Sequence, residues 1–137
     1  MLTEEQKSRL EPLSCNERYG KLLLSAMKTW EVSNPYRGTF GVADYKYNYD
    51  GQFKIEDSEY FTLDENRNCC LIGASLLGKK SCSGIASALE EEYGLSFVEK
   101  IAIIDGFDAP NSASVYSDYD AFLFAKNVSE IIFGIVK

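Results

Sequence analysis

The chain has 137 residues, and its 14 Lys and Arg against 21 Asp and Glu give a formal net charge of −7. This length suits one domain better than two, so we expect residues 1–137 to form a single compact domain. The acidic balance argues against binding to duplex nucleic acid, which requires a basic face. The absence of histidine excludes mechanisms with an imidazole base and metal sites with a histidine ligand.

Two features of the sequence concern the compartment. No run reaches the roughly 20 apolar residues of a membrane helix, and the polar start MLTEEQKSRL lacks the pattern of a signal peptide. We therefore expect a cytoplasmic protein that makes no contact with a membrane. A zinc site of four thiolates would need two Cys-x-x-Cys-like knuckles, which the sequence lacks. The cysteines, which we expect to be free thiols, are Cys15, Cys69, Cys70 and Cys82.

The first quarter of the chain predicts two helices. Thr3 and Gln6 have the spacing of a capping box, which predicts a short helix that ends near Glu11, where a proline follows. Ser14 and Glu17 repeat this spacing ahead of a second helix. The apolar residues that recur there at the helical period, and predict one buried stripe, are Tyr19, Leu22, Leu23, Ala26, Met27 and Trp30.

The next segment alternates tyrosine with polar residues, at the two-residue period of a half-buried strand, and then reaches an Asp-Gly pair typical of a hairpin turn. A two-residue turn would place Tyr47 opposite Lys54 and split the apolar residues between two faces. We expect instead a three-residue loop from Tyr49 to Gly51, with Gly51 left-handed. This register pairs Tyr47 with Phe53 and unites the apolar residues on one face.

Two further segments have less regular patterns. We expect the acidic tract at residues 56–59 to interrupt or end the second strand, which residues 60–63 then resume. The small apolar run at residues 69–77 fits either a buried strand or a tightly packed helix by its length. Its residues Gly73, Ala74 and Ser75 favour a helix that approaches another element closely.

The second half of the chain predicts three helices. One begins near Ser83 and stops at Gly94, and the last begins near Asp118. The capping-box pair Ser96 and Glu99 begins the helix between them, which we expect to expose Glu99 and to end at the next glycine. The residues that we expect this middle helix to bury are Phe97, Val98, Ile101 and Ile104. The whole pattern predicts an α+β fold of about five helices packed on a short antiparallel β-hairpin.

Acidic residues near the end of the middle helix allow two kinds of chemistry. Asp105 and Asp108, with Asp118 and Asp120 beyond, offer oxygen ligands to Ca²⁺ or Mg²⁺, but their spacing does not match an EF-hand loop. Helix termination and N-capping account for the same residues, so we expect no metal there. Paired carboxylates could also act as acid and base in a hydrolase, and residues 105–120 would then hold the site.

Two surfaces are candidates for binding. The tyrosines of the hairpin form a stacking platform or an adhesive protein face, unless this face packs on the helix that carries Trp30. The glutamates near the end of the fourth predicted helix form either a surface for a basic partner or an ordinary solvated face. The residues that we expect to contact a partner are Tyr45, Tyr47, Tyr49, Glu90, Glu91, Glu92, Asp105 and Asp108.

The order of short motifs resembles a protein family. A helix that ends in Ala26-x-x-x-Trp30 precedes a glycine-containing hairpin, then comes Cys70-Leu71-Ile72-Gly73-Ala74, and a helix leads into Asp105-Gly106 and a further helix. Over about residues 20–132 this order resembles small uncharacterised bacterial and phage domains with a Cys-Leu-x-Gly-Ala signature. The resemblance implies a compact helical domain around a small hairpin and a phage or mobile-element origin. It implies no activity.

We favour a non-enzymatic interaction protein that acts on a protein partner without a cofactor, for example a phage accessory or anti-defence factor in the host cytoplasm. This interpretation rests on the small size, the lack of catalytic motifs and the acidity, which suits a basic partner surface. The alternative is a carboxylate-based or metal-assisted hydrolase. Convergence of Asp105, Asp108 and Asp120 in one concave pocket would favour the enzyme.

Overall fold

Four strands lie between an N-terminal and a C-terminal group of helices in a computed structural model that describes residues 1–49, 53–111 and 118–134, with side chains omitted at 46–57. The elements in order are α1 (Glu4–Leu10), a 3-10 helix (Glu11–Cys15), α2 (Gly20–Thr29), β1 (Asn34–Pro35), β2 (Val42–Tyr49), β3 (Phe53–Leu63), β4 (Asn68–Cys69), α3 (Leu71–Leu76), α4 (Ile85–Tyr93), α5 (Phe97–Asp108) and α6 (Tyr119–Phe133). Strands β2 and β3 form an antiparallel pair, and β1 and β4 form a parallel pair. The predicted α+β class is confirmed.

The N-terminal helix begins at the predicted capping box. The backbone N–H of Gln6 donates to Oγ1 of Thr3 at 3.1 Å, and the backbone N–H of Thr3 donates to the Gln6 side chain at 2.8 Å. The Gln6 amide also donates to the carbonyl of Ile132 at 3.0 Å. One side chain therefore caps α1 and ties it to the end of α6.

The second predicted capping box, at Ser14, is wrong. Asn16 holds this turn, since its side-chain oxygen accepts the backbone N–H groups of Arg18 and Tyr19, each at 2.9 Å. Helix α2 consequently begins at Gly20, where a Cβ atom would overlap the carbonyl of Ser14. An asparagine that accepts the N–H groups two and three places ahead acts as a cap, so the turn before α2 is capped two residues later than predicted.

Trp30 closes α2 and lies in the core, as predicted. Its side chain is fully buried, its Nε1 donates to the carbonyl of Cys69 at 3.1 Å, and its ring stacks on Phe107 with centroids 6.0 Å apart. The largest fully buried side chains are Trp30, Tyr19, Phe107, Leu10, Leu22, Leu23, Leu71, Ile72, Leu76, Leu89, Ile103 and Val128. These come from α1 to α6, so the helices share one core.

The apolar run at residues 69–77 forms mainly a helix, as its small residues indicated. Cys70 is the N-cap of α3, and the backbone N–H of Gly73 donates to its Sγ at 3.5 Å. A Cβ atom at Gly73 would overlap the carbonyl of Phe40, which precedes β2. The predicted close approach is therefore real, and it presses the loop before β2 against the first turn of α3.

The hairpin register differs from the predicted one. Tyr47 pairs with Ile55 rather than Phe53, and Tyr49 belongs to β2, where it pairs with Phe53. The error is a shift of two residues along β3, which an alternation of period two cannot distinguish. The expected turn conformation of Gly51 lies outside the described residues.

The pairing of β3 with β2 is interrupted, but two residues later than predicted, because residues 56 and 57 still pair with β2. The register slips between Ala43 and Tyr45, where residues 58–61 leave the ladder. They bond instead to the segment after α3, where the N–H of Phe61 donates to the carbonyl of Lys79 at 2.9 Å. These hydrogen bonds attach the hairpin to the segment that joins α3 and α4.

Helix α5 begins where predicted but presents a different face. Phe97 and Val98, expected to be buried, are 63% and 43% exposed, whereas Glu99, expected to face water, is 5% exposed. The predicted stop at Gly106 is also wrong. A Cβ atom there would overlap the carbonyl of Phe122, so this glycine permits close packing of α5 on α6 instead of ending α5.

Candidate functional site

The structure places the predicted binding residues in three regions. Tyr45 lines a groove beside the hairpin, whereas the side chains of Tyr47 and Tyr49 lie outside the described part of the structure. Helix α4 and the last turns of α5 carry the remaining residues, which are Glu90, Glu91, Glu92, Asp105 and Asp108. The groove beside the hairpin and a cavity at the end of α5 are the two candidate sites.

The groove lies between β2, the start of α4 and α5, and its volume is about 400 Å³. Phe61 and Ile85 give it an apolar floor, because Phe61 is only 3% exposed. Its charged lining residues are Asp44, Asp64 and Lys100. The groove thus combines an apolar floor with two carboxylates and one ammonium group.

Two aromatic side chains accompany these charges. Tyr45 lines the groove and is 39% exposed, and Phe97 begins α5 and is 63% exposed. The Lys100 Nζ lies 4.8 Å from the centroid of the Phe97 ring, which is a cation–π contact. Aromatic residues therefore accompany Lys100, with Tyr45 in the lining of the groove and Phe97 in contact with the ammonium group.

The acidic run of α4 continues from this groove. Ala86 lines the groove, and Glu90 lies one turn further on the same face of the helix. Glu90 and Glu91 are exposed and Glu92 is half-buried, and none of them forms an ion pair with another described residue. The surface of α4 beside the groove is consequently negative, and no described lysine or arginine forms an ion pair with these glutamates.

The second cavity lies where the loop before β2, the start of α3 and the end of α5 meet. Its volume is about 310 Å³, and it is partly open to solvent. The lining residues are Gly38, Thr39, Phe40, Cys70, Ile104 and Asp108. We call it the α5-end cavity.

Asp108 is the charged residue of the α5-end cavity. Burial raises the pKa of its carboxyl above the ordinary value, and the nearby charge of Asp105 adds to this effect. A hydrogen bond from the backbone N–H of Gly38 and the charge of Arg37 oppose the increase without cancelling it. Oδ1 of Asp108 is buried and accepts no hydrogen bond from any described group.

The thiol of Cys70 is not a nucleophile in this setting. The residue is 2% exposed, and burial raises the pKa of the thiol to about 12, although the N–H of Gly73 favours the thiolate. A thiol attacks as its thiolate, and this group is almost entirely protonated at neutral pH. Cys70 therefore shapes the cavity wall and caps α3.

The carboxylates proposed for a hydrolase do not converge. Asp108 lines the cavity, but the lining includes neither Asp105 nor Asp120. Asp118 is the N-cap of α6, with the N–H of Ala121 donating to its Oδ1 at 3.0 Å. Within residues 1–49, 53–111 and 118–134 no group of three His, Cys, Asp or Glu could hold a metal ion. The arrangement that would favour the enzyme is not present in this part of the chain.

Sequence reasoning missed the partners of Glu99. Nη2 of Arg18 lies 2.6 Å from Oε2 of Glu99, and the Tyr19 hydroxyl donates to the same oxygen at 2.7 Å. Burial alone would raise the pKa of this carboxyl, but hydrogen bonds from Tyr19 and the backbone of Ser96, together with the Arg18 charge, lower it overall. The available signal was the capping box, which already directs this side chain back towards the helix start.

No helix among the described residues is long and apolar enough to cross a bilayer. Comparison of the chain with models of protein families, with curated proteins and with solved structures found no match. The resemblance to domains with the Cys-Leu-x-Gly-Ala signature stays a prediction, and functional inference rests on the geometry of the two cavities.

Proposed function

We propose that this chain is a non-enzymatic binding protein whose groove receives a basic, partly apolar segment of a protein partner. The observation that carries the proposal is the composition of the groove. Two carboxylates, Asp44 and Asp64, line it together with Tyr45 and an apolar floor, against the single ammonium group of Lys100.

Charge complementarity selects a basic partner. The exposed Glu90 and Glu91 extend the negative surface along α4, and the whole chain carries a formal charge of −7. Such a surface accelerates the encounter with a basic segment and repels free nucleic acid. The acidic residues of α4 therefore speed the approach of the partner, and the groove binds its basic segment.

The aromatic side chains favour lysine and arginine as the inserted residues. The long stems of these side chains bury their methylene groups against apolar surface, and their charged ends bind aromatic faces and carboxylates. Lys100 contacts the ring of Phe97 in this way, and Tyr45 lines the groove. An inserted lysine or arginine would complete the same contacts with Asp44 or Asp64.

Two features support binding over hydrolysis as the activity. Asp118 is engaged in capping α6, and the raised pKa of Cys70 makes its thiol a poor nucleophile. A more specific role, as a phage or mobile-element accessory or anti-defence factor in the host cytoplasm, stays a prediction from the motif resemblance.

The test is partner capture with matched charge variants. Asp44→Asn with Asp64→Asn neutralises the groove, and Glu4→Gln with Glu5→Gln removes the same charge from the exposed first turn of α1. Proteins captured from lysate are quantified by mass spectrometry. We expect the groove variant, but not the control, to deplete a specific partner by about 10-fold, as expected for lost contacts to charged groups.

Equal capture by both variants and the parent would contradict the proposal, as would equal loss in both variants, since that would reflect net charge alone. The captured partner then allows a kinetic measurement. Glu90→Lys, Glu91→Lys and Glu92→Lys together should lower the association rate and leave the melting temperature nearly unchanged. The association rate of the parent should fall between about 0.05 and 0.5 M salt, because added ions shorten the Debye length.

A further inference from the structure

The backbone of β2, and not only its side chains, borders the groove. The lining includes four consecutive residues of this strand, at positions 42–45. Successive side chains of a strand point to opposite faces of a sheet, so a cavity touches four residues in a row only where it follows the edge of the strand. The peptide groups at this edge of β2 are therefore part of the groove.

One edge of β2 has no neighbouring strand in the described part of the structure. β2 and β3 form a sheet of two strands, so β3 covers one edge of β2 only. Val42 lies opposite Leu63. The hydrogen bond beside this pair runs from the N–H of Asp64 to the carbonyl of Gly41 at 2.8 Å, so the pair itself exchanges none. The N–H and C=O groups of Val42 consequently point away from β3.

Asp44 presents its backbone to the same free edge. The Thr62 hydroxyl lies 3.3 Å from the carbonyl oxygens of Ala43 and Tyr45, which therefore point towards β3. Main-chain groups alternate between the two edges of a strand, so those of Asp44 point away from β3. The slip of the register also leaves Asp44 without a paired residue in β3. Among the described residues, neither Val42 nor Asp44 forms a backbone hydrogen bond outside the β2–β3 pair.

Helix α5 lies across the groove from this edge. Lys100 lines the groove together with residues 42–45, and one turn later Ile104 lines the α5-end cavity together with Phe40. The helix thus follows the chain that leads into β2, and the groove of about 400 Å³ lies between them. The four lining residues of β2 extend over about 10 Å, which is enough for about three residues of an extended segment. An open strand edge that faces a helix across an apolar floor is suited to strand addition.

We propose that the partner segment binds in an extended conformation and adds a strand to the free edge of β2, beside Val42 and Asp44. This rests on the binding function proposed for the groove and specifies how the segment binds. Main-chain hydrogen bonds supply affinity, and the groove selects the side chains. Alternate residues of an added strand face opposite sides, so one set meets the apolar floor and the other stays on the open side, where Asp44 is exposed. A segment in which basic and apolar residues alternate fits this site.

Charge distinguishes this partner from a second copy of the chain. An uncovered strand edge can pair with the same edge of another molecule. Here two such edges would bring the exposed Asp44 of each copy together, and each chain carries a formal charge of −7. Like charges across paired strands destabilise the pair, whereas a lysine or arginine opposite Asp44 stabilises it. The edge therefore favours a basic strand over self-pairing.

Amide hydrogen exchange on the unmodified chain tests strand addition directly. The probe is the peptide acetyl-Lys-Val-Lys-Val-Lys-Val-amide. We expect saturating peptide to slow the exchange of the Val42 and Asp44 amides by about 10-fold or more, while Ala43, already paired with β3, changes little. Binding without this protection, or no saturable binding, would overturn the added strand. Protection that grows with protein concentration in the absence of peptide would assign the edge to a second copy and would overturn it as well.

Two N-methylated isomers of the peptide, matched in charge and composition, locate the backbone contact. One carries N-methyl groups on its lysines and the other on its valines, so each lacks the N–H donors of one edge. We expect one isomer to lose affinity by about 10-fold or more and the other to bind nearly like the unmodified peptide. Equal binding of all three peptides, or equal loss in both isomers, would contradict strand addition.

Variants of the chain separate this inference from the proposed function. Asp44→Asn and Asp44→Pro remove the same charge, but only proline removes the outward N–H, and an open edge tolerates proline. We expect Asp44→Pro to bind the peptide about 5- to 10-fold more weakly than Asp44→Asn. Equal affinity of the two variants would contradict strand addition. If Asp44→Pro fails to fold, the peptide isomers still decide. Equal binding of the three peptides that is lost in Asp44→Asn with Asp64→Asn would remove the added strand and leave the proposed function standing.

Discussion

The two ends of α5 hold carboxylates in opposite conditions. Glu99, in the first turn, is 5% exposed, yet the Tyr19 hydroxyl, the Arg18 guanidinium and the Ser96 backbone all donate to it. Asp108, the last residue, is less buried but has an oxygen without a donor. The pKa of Glu99 is lowered and that of Asp108 is raised.

The two carboxyls differ in their number of hydrogen-bond donors. Burial disfavours the charged form at both ends of α5, and the number of donors decides whether the pKa is lowered or raised. The first turn of α5 uses its carboxylate to tie α5 to the start of α2 through Arg18 and Tyr19. The last turn leaves a buried carboxylate oxygen without a donor, on a residue that lines the α5-end cavity. Experiments can test whether the two ends differ in this way.

The largest effect is expected when the packing at the C-terminal end of α5 is removed. Trp30→Ala removes the ring that stacks on Phe107 and the Nε1 donor to the carbonyl of Cys69. We expect a loss of about 3–5 kcal/mol in the free energy of unfolding, measured by denaturant titration, because a large buried side chain leaves a cavity. A variant that unfolds like the parent but loses a partner would place Trp30 in a binding site instead of the core.

The next effect is at the other end of α5. Glu99→Gln keeps the shape of the side chain but removes the charge that Arg18 and Tyr19 satisfy. We expect a loss of about 1–3 kcal/mol in the free energy of unfolding, towards the lower value because Arg18 is 60% exposed and its ion pair is screened. Tyr19→Phe is the matched variant, and it should cost less because it removes a neutral donor only. An unchanged free energy of unfolding in Glu99→Gln would mean that the hydrogen bonds to the first turn of α5 do not stabilise the fold.

The starts of α1, α5 and α6 could be predicted from the sequence because their signals are local. Thr3, Ser96 and Asp118 each bond a backbone N–H three residues ahead, and Gly94 ends α4 in the left-handed conformation. Neighbours along the chain supply everything these signals need. The register of the hairpin, in contrast, was wrong by two residues because alternation of period two is the same in both registers.

The buried face of α5 could not be predicted because its partners are distant. Arg18 and Tyr19 lie 81 and 80 residues from Glu99, and without them a glutamate is expected to face water. The same holds for the candidate sites. Asp108 was identified by its charge, but the α5-end cavity is built by the loop at Gly38 and by Cys70, which are far from it along the chain. The composition indicated that the chain is acidic, but only the fold showed that Asp108 is the acidic residue that lines the α5-end cavity.

The pH dependence of stability sharpens the comparison, because the two carboxyls contribute with opposite sign. The folded pKa of Glu99 is below its ordinary 4.5, so its stabilisation is present above that value and is lost as the pH falls through the folded pKa. The folded pKa of Asp108 is above its ordinary 3.8, so stability falls as the pH rises from that value through the folded pKa.

Two difference curves measure these contributions. The stability of the parent minus that of Glu99→Gln should shrink as the pH is lowered. The stability of the parent minus that of Asp108→Asn should become less favourable to the parent as the pH rises above 3.8. We expect the second difference to stay below about 1 kcal/mol, since Asp108 is partly exposed. Curves of the same sign for both variants would remove the distinction between the two ends.

The smallest expected effect is on thiol reactivity, which reports access at each end without changing the fold. Cys15 is exposed and lies shortly before Arg18, whereas Cys70 is buried, lines the α5-end cavity and has a pKa raised to about 12. A thiol reagent should therefore modify Cys15 first and Cys70 slowly, because a protonated, buried thiol reacts poorly. Cys15→Ser should remove the fast phase, and in denaturant without reductant the parent should show all four thiols. Rapid modification of Cys70 in the folded protein would mean that the wall of the α5-end cavity opens readily.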